Sequence, residues 1–193
     1  MQQQVLEFIS KTGKPPYYSM TLGGMNIKGI RTPKRFLDVW SRHYEFKDKH
    51  VCVIGSNTGG IIFGLSDIIR EGTGLDGNLK NLNASLKITS HFKLDHHLNF
   101  FECHQELSNF NKFNQITDDA EVFIIPSDTA YGNKHLWYDW CLKKGSDIIV
   151  ELRDKTDNAD LLYFKDKGFE PKLIQKGSPD DPSVKRSSYL IQQ

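Results

Sequence analysis

Residues 51–60 have the sequence VCVIGSNTGG, in which an apolar run passes into a glycine-rich turn. The run His50–Ile54 is typical of a parallel strand that is covered on both faces. Glycine is needed where the backbone takes a positive φ or comes close to a ligand, and a helix that follows offers unpaired N–H groups. The stretch therefore predicts a strand–turn–helix unit with a ligand at residues 55–60.

Asp76 strengthens this prediction, because it follows Gly55 by about 20 residues, at the end of the second predicted strand. A carboxylate at that place can accept hydrogen bonds from the two hydroxyls of a ribose. The turn and the carboxylate together indicate a site for a nucleoside-containing cofactor.

The rest of the chain predicts the fold class. Strand patterns alternate with helical patterns from residue 49 onward, which indicates a parallel sheet with helices on both faces. Two final strands are joined by a polar loop without a helix, so they should pair antiparallel. We expect an α/β fold with a doubly wound, mostly parallel seven-stranded sheet, an antiparallel C-terminal strand pair and a short N-terminal extension. The predicted strands cover residues 50–54, 73–75, 98–102, 122–125, 147–152, 171–175 and 188–191.

The domain organisation follows from the same pattern. Residues 1–48 are interrupted by prolines and glycines and contain one short helical pattern near Trp40. We expect them to form a cap on a single domain that spans residues 49–193. A chain of 193 residues can bury a hydrophobic core without disulfides or metals.

Charge and cysteine content exclude several classes of protein. The net charge of +1 argues against a broad basic face for duplex DNA. The three cysteines are widely spaced, which favours neither a disulfide framework nor a zinc site and indicates a reducing compartment. Neither a signal peptide nor an apolar run of about 20 residues is evident, so we expect a soluble, cytoplasmic protein without a membrane partner.

A metal site is not expected either. His96 and His97 are adjacent and follow Asp95. Neighbouring side chains in an extended segment point to opposite sides, so the two rings would share one ion poorly. The pattern favours surface histidines.

Two classes of cofactor use a loop of this kind. A dinucleotide fingerprint needs glycines at the first, third and sixth positions, and the loop has Gly55 and Gly60 with Asn57 between them. The looser G-x-G-x-G pattern of S-adenosylmethionine enzymes corresponds to Gly55, Asn57 and Gly59, and asparagine tolerates positive φ well. The terminal strand pair, with no crossover helix and no room for a catalytic domain, favours S-adenosylmethionine over NAD.

The strand and turn of residues 51–60, the Gly74-Leu75-Asp76 triplet and the terminal strand pair resemble the class I, Rossmann-like S-adenosylmethionine-dependent methyltransferases. The RFLDVW stretch of residues 35–40, before the first sheet strand, is similar to small bacterial and phage-type members. The resemblance begins near residue 49 and implies a cofactor and a fold, without naming a substrate.

The resemblance also implies roles for individual residues. It implies that S-adenosylmethionine binds at the loop and at Asp76, and that the segment after the fourth strand faces the transferred methyl group and the substrate. The implied cofactor-binding residues are Gly55, Ser56, Asn57, Thr58, Gly59, Gly60, Asp76, Gly77, Asn78, Cys103, His104 and Ser127.

The chain departs from the family at three places. Val53 stands where an acidic residue two positions before the first glycine usually helps to anchor the methionine amino group. Residues 127–130 have the sequence SDTA, which is not the N/D-P-P-Y/F motif of amino-methylating DNA enzymes. An acid near the adenine is also not evident in the sequence.

Methyl transfer needs a general base only when the acceptor carries a proton of high pKa. Asp128 and His135 follow the fourth strand and are the candidate catalytic residues, although each could also cap a helix. We expect methyl transfer to a small molecule or to an exposed RNA or protein group. An NAD(P)-binding oxidoreductase and a non-catalytic binding module with a degenerate loop are the alternatives.

Overall fold

The computed structural model describes residues 19–29, 33–104, 110–126, 134–153, 157–177 and 186–193. The N-terminal part contains an antiparallel hairpin of β1 (Met20–Leu22) and β2 (Met25–Ile27), followed by α1 (Pro33–Trp40). Strands and helices then alternate along the chain. They are β3 (His50–Ile54), α2 (Gly60–Leu65), β4 (Glu71–Asp76), α3 (Leu79–His91), β5 (Leu98–Glu102), α4 (Phe110–Ile116), β6 (Val122–Ile125), α5 (Lys134–Lys143), β7 (Asp147–Arg153), α6 (Asp157–Asp166), β8 (Lys172–Gln175) and β9 (Arg186–Ile191).

Seven strands form one sheet in the order β5-β4-β3-β6-β7-β9-β8. Strands β5, β4, β3, β6 and β7 run parallel to one another, and β9 runs antiparallel to both β7 and β8. The predicted fold class and the antiparallel terminal pair are confirmed. The insertion of β9 between β7 and β8, which makes β9 an interior strand, was not part of the prediction.

The strand order reverses beside β3. From β3 the chain continues outward to β4 and β5, and it then returns to β6 on the opposite side of β3. The helices after β3 and β6 therefore lie on opposite faces, which opens a crevice at the carboxyl ends of these strands. This edge of the sheet, called the carboxyl edge below, carries the loop of residues 55–60.

Each face of the sheet has its own hydrophobic core, because neighbouring residues of a strand point to opposite faces. Val51 and Val53 belong to the first core, with side chains from α1, α2 and α3. Cys52 and Ile54 belong to the second core, with side chains from α4, α5 and α6. Helices thus cover both faces, as a doubly wound sheet requires.

The N-terminal hairpin contributes to the first core. Met20, Leu22 and Ile27 are buried there together with Leu37 and Trp40 of α1. The sequence pattern predicted the helix near Trp40 but not the hairpin, because strands of three residues carry little periodicity.

Helix α2 is shorter than its apolar pattern indicated. The apolar residues at positions 61, 62, 65, 68 and 69 share one helical face and predict a helix that Gly72 can end. Instead, α2 ends at Leu65 and Gly72 lies inside β4. A Cβ atom on Gly72 would be 2.6 Å from Ile62 and 2.8 Å from Leu98. This glycine therefore lets α2 pack closely on the sheet and does not terminate a helix.

No helix in the described part of the chain is long and apolar enough to cross a membrane.

A buried ion pair joins β7 to the inserted strand. The Arg186 guanidinium donates to a Glu151 carboxylate oxygen at 2.7 Å, and both side chains are buried. A buried charge without its partner is costly, so removal of one member is more harmful than replacement of both by apolar residues.

We predict that Glu151→Ala lowers the free energy of unfolding by about 3–5 kcal/mol, because it removes the buried carboxylate that accepts from the Arg186 guanidinium. Urea unfolding followed by circular dichroism measures this change. The double variant Glu151→Leu with Arg186→Met, which buries no charge, should lose clearly less. An equal loss of stability in the single and the double variant would show that the loss does not come from breaking the buried ion pair.

Candidate cofactor and active site

The loop of residues 55–60 has a repeating backbone conformation. Gly55, Asn57 and Gly59 have φ angles of 73°, 53° and 79°, all in the left-handed region. The amides of Gly55 and Ser56 both donate to the carbonyl of Leu75, at 2.7 and 2.9 Å, which ties the loop to β4. The alternate positions of the G-x-G-x-G pattern are therefore those at which the backbone needs positive φ, and asparagine fills the middle one.

The side chain of Asp76 fastens the same loop. One carboxylate oxygen accepts the amide N–H of Asn57 at 2.7 Å, and the other accepts the amide N–H of Asn78 at 2.8 Å. The Asn81 side chain makes a weaker contact at 3.4 Å. Asp76 is 9% exposed. The carboxylate therefore links the turn after β3 to the turn after β4.

These contacts leave Asp76 able to bind a ligand. A carboxylate can accept about four hydrogen bonds, and the two strong bonds to backbone amides use one site on each oxygen. Each oxygen thus keeps a site for a hydroxyl group, with the weak Asn81 contact as the competitor. The residue predicted to bind a ribose also shapes the loop.

The turn after β4 brings Gly77 and Asn78 into place. The Asn78 side chain accepts the amides of Lys80 and Asn81 and so caps α3. A Cβ atom on Gly77 would lie 3.0 Å from the carbonyl oxygen of Cys103, so this glycine allows the chain segments after β4 and β5 to approach closely. Asn78 has a structural role at this place whether or not it also contacts a cofactor.

The end of β5 places an acidic residue at the carboxyl edge. Glu102 is the register partner of Asp76, and its carboxylate contacts His104 at 2.8 Å. The sequence reasoning named Cys103 and His104 but missed Glu102. Its position as the last residue of a predicted strand next to the Asp76 strand would have been the signal.

The Cys103 thiol has low reactivity. It is 8% exposed, and burial, with a smaller contribution from Asp76, raises the pKa of its thiol to about 12. Cys52 and Cys141 are fully buried, and burial raises the pKa of both thiols. A cofactor near Cys103 would meet a neutral thiol.

Two hydroxyl groups of the loop have no hydrogen-bond partner among the described residues. These are Ser56 Oγ and Thr58 Oγ1, and both atoms are buried. Buried polar groups are nearly always paired, so an unpaired pair of hydroxyls in a ligand-type loop fits a site that a polar ligand completes.

His135, a predicted catalytic residue, lies in the first turn of α5, at the carboxyl edge of the sheet. Its ring stacks on Tyr163 with the centroids 3.9 Å apart, and its Nε2 atom is 3.4 Å from a carboxylate oxygen of Asp160. The other predicted catalytic residue, Asp128, and the predicted cofactor-binding residue Ser127 lie outside the described residues.

The aromatic residues of α5 are core residues. Trp137 and Trp140 are buried in the second core, and the Trp140 ring nitrogen donates to the Asn114 side chain at 2.8 Å. Both indole rings therefore serve to pack α5 against the sheet.

The opposite, amino edge of the sheet carries a network of charged side chains. The ring of the buried His50 contacts Asp119 at 2.7 Å and Thr73 at 2.8 Å, while Arg70 pairs with Asp119 at 2.9 Å. Within the described ranges, His50, Glu71 and Asp119 form the one group of three potential metal ligands, with their ligand atoms within 4.8 Å. The existing contacts of His50 and Asp119 make this a structural ion-pair network.

The expectation that the two adjacent histidines lie in an extended segment was wrong. His96 and His97 lie in a turn before β5 and not in an extended segment, and their rings are 4.2 Å apart. His96 contacts the Lys93 carbonyl at 3.1 Å and His97 the Ser66 carbonyl at 3.3 Å, so each ring has a backbone partner.

A cavity of about 700 Å³ lies between the N-terminal hairpin, α1 and α2, the helix that follows the loop of residues 55–60. Its walls include Ile27, Leu37 and Phe63 but no residue of the loop 55–60. It is therefore separate from the site around Asp76.

Comparison with solved structures identifies the fold. A precorrin-6y C5,15-methyltransferase from Geobacter metallireducens matches with a TM-score of 0.60 and 12% identity, over 83% of this chain and 88% of that chain. An rRNA methylase from Streptococcus thermophilus matches with a TM-score of 0.59 and 13% identity, over 86% and 99%. The chain has the fold of the class I methyltransferases.

A third structure with this methyltransferase fold was solved with a ligand. TrmK from M. capricolum, in complex with S-adenosyl-homocysteine, matches with a TM-score of 0.61 and 15% identity, over 82% of this chain and 67% of that chain. No protein-family model and no curated protein sequence matches the chain. The similarity to these solved structures is one of fold, at 12–15% sequence identity.

We predict that Gly59→Ala destabilises the loop strongly. The new Cβ atom would lie 2.8 Å from both Phe63 and Phe100, at a φ of 79° that disfavours side chains. We expect a loss of roughly 2–5 kcal/mol in the free energy of unfolding. Gly145→Ala is the matched control, because φ is 72° there but nothing lies within 4 Å. It should lose only about 1–2 kcal/mol, and similar losses in both variants would contradict a packing role for Gly59.

We also predict that native Cys103 resists alkylation. With a thiol pKa of about 12, little thiolate is present at pH 8. Iodoacetamide labelling followed by mass spectrometry should show Cys103 reacting more than about tenfold slower in the native protein than in urea. Rapid labelling of the native protein at Cys103 would contradict the burial of this thiol.

Proposed function

We propose that this chain binds S-adenosylmethionine at the carboxyl edge and transfers its methyl group to a small molecule or to an exposed RNA or protein group. The observation that carries the proposal is the Asp76 carboxylate, which holds the positive-φ loop and keeps an acceptor site on each oxygen. The crevice beside β3, where the strand order reverses, is where open α/β sheets bind ligands.

The residues of the site fit the proposed cofactor. Asp76 would accept hydrogen bonds from the ribose hydroxyls, and Ser56 and Thr58 would offer their unpaired hydroxyls within the loop. Glu102 and His104 lie at the next strand end, on the side implied for the adenine. Bound S-adenosylmethionine would supply a methyl group activated by its sulfonium, and the protein would supply position and exclusion of water.

One departure from the family bears on affinity. Val53 is fully buried in the first core, so this position gives no polar group toward the methionine end of the cofactor. The loop hydroxyls and backbone groups would have to hold that end. We therefore expect micromolar rather than tighter binding.

The fold neighbours support methyl transfer as the reaction class. Their names include an rRNA methylase, a precorrin methyltransferase and a TrmK bound to S-adenosyl-homocysteine. These proteins act on different acceptors, so they support the cofactor more than any one substrate. Nothing in the described geometry favours hydride transfer with NAD.

We predict that the protein binds S-adenosylhomocysteine in titration calorimetry and does not bind NAD. Asp76→Ala should weaken this binding roughly 10- to 100-fold, because hydrogen bonds to a charged acceptor are lost. Asp76→Asn keeps one acceptor oxygen, so its affinity for S-adenosylhomocysteine should lie between the affinities of the wild type and of Asp76→Ala.

Asp118→Asn is the control for this experiment, because that carboxylate is 88% exposed and lies before β6, at the amino edge. It should bind like the wild type. Circular dichroism would verify that the Asp76 variants fold. Binding of NAD alone would support an oxidoreductase, and binding of neither ligand would support a non-catalytic module.

A transfer assay addresses the acceptor. The protein is incubated with S-adenosylmethionine labelled in its methyl group, together with total RNA, a protein extract or a small-molecule extract. Label in one fraction, absent with Asp76→Ala, would give the acceptor class. A protein that binds the cofactor product but labels no fraction would not be a methyltransferase for these acceptors.

A further inference from the structure

A buried carboxylate lies between the first turns of α5 and α6. Asp160 is fully buried, and one of its oxygens accepts a hydrogen bond from the Lys134 ammonium group. The other oxygen, Oδ1, has no hydrogen bond among the described residues and faces His135 Nε2 at 3.4 Å. Nε2 is also buried and has no other hydrogen-bond partner in the described part of the chain.

These two atoms complement each other. A buried carboxylate oxygen needs a donor, and Lys134 already occupies the other oxygen. A ring nitrogen that carries a proton is such a donor. The two atoms are 3.4 Å apart but lack the alignment of a hydrogen bond. Catalytic hydrogen bonds are often long or poorly aligned without substrate and tighten when it binds.

The His135 ring is held in one orientation. Tyr163 stacks on one face at an angle of 11°, and its hydroxyl donates to the His135 carbonyl at 3.5 Å. Nε2 is the ring nitrogen on the side of Asp160, so Nδ1 lies on the other side of the ring. The His135 side chain is 40% exposed, and α5 and α6 both begin at the carboxyl edge.

We propose that Asp160 fixes His135 in the Nε2–H tautomer, so that Nδ1 serves as the proton acceptor for a methyl acceptor that carries an O–H or N–H group. This inference rests on the proposed function and deepens it. His135 would be a catalytic residue, whereas Asp160 and Lys134 would be positioning residues.

The chemical step balances with these groups alone. The acceptor atom forms a bond to the methyl carbon while the carbon–sulfur bond breaks, and the proton of the acceptor passes to Nδ1. The positive charge of the sulfonium is thereby replaced by that of the imidazolium, which Asp160 stabilises. A thioether or a tertiary amine has no proton to give and would not need this base.

The tautomer is observable without any substrate. In the full-length protein labelled with ¹⁵N, the ring nitrogens of neutral His135 report which one carries the proton, and His135→Gln assigns the signals. We expect the proton on Nε2 in the wild type.

Asp160→Asn should reverse the tautomer. Lys134 can only donate, so it keeps the amide oxygen and turns the amide NH₂ toward His135. Nε2 must then accept, and the proton moves to Nδ1. The control is Asp118→Asn, which removes an 88% exposed carboxylate at the amino edge, where it contacts Lys144 at 3.7 Å. It should leave the tautomer unchanged.

The results separate the inference from the proposed function. If S-adenosylhomocysteine binds but His135 has the same tautomer in the wild type and in Asp160→Asn, the inference is wrong and the proposed function stands. If the wild type binds no S-adenosylhomocysteine, the proposed function fails and the role of His135 as a base fails with it.

The catalytic arm uses the acceptor fraction found in the transfer assay. His135→Gln and Asp160→Asn should each lower kcat by about 100-fold or more, with unchanged affinity for S-adenosylhomocysteine, because only proton removal is lost. Full activity of His135→Gln, or methylation of an acceptor atom that has no proton, would overturn the inference.

Discussion

The link between Asp76 and the amide of Asn57 is the contact on which the candidate site depends. It joins the turn after β3 to the end of β4, and the second carboxylate oxygen extends the link to Asn78 and the start of α3. A single side chain thus holds three segments in one arrangement. Any ligand that binds Asp76 meets a loop whose conformation is already set, which reduces the ordering cost of binding.

The two edges of the sheet use charge differently. At the amino edge, His50 and Asp119 belong to a network in which the cationic and anionic groups pair with each other. At the carboxyl edge, Asp76 bonds to backbone amides, and Glu102 and His104 stay largely exposed. Paired charges favour a structural role, whereas acceptors with unused capacity favour ligand binding. This contrast supports the proposal that the chemistry takes place at the carboxyl edge.

Local patterns account for much of the agreement between the predicted and the observed fold. Strands β3, β5 and β6 appear at the predicted residues. β3 and β6 are buried along their whole length, which gives a strong apolar signal, whereas β5 is an edge strand in which burial alternates. Helix α2 was overestimated, because Ile68 and Ile69 continue its apolar pattern although the chain has already turned at Ser66. Val53 and Asn57 could be recognised as departures from a family pattern, but their burial and backbone angle are properties of the folded chain.

The alternation of strands and helices, the loop of residues 55–60 and the position of Asp76 were all evident from the amino-acid order, because each depends on residues close together in the chain. The place of β9 between β7 and β8 and the approach of Asp160 to His135 were not. These contacts join residues that are far apart in sequence, and the free energy that selects them comes from packing two cores on one sheet. No local pattern carries that information, so only the folded structure brings these side chains together.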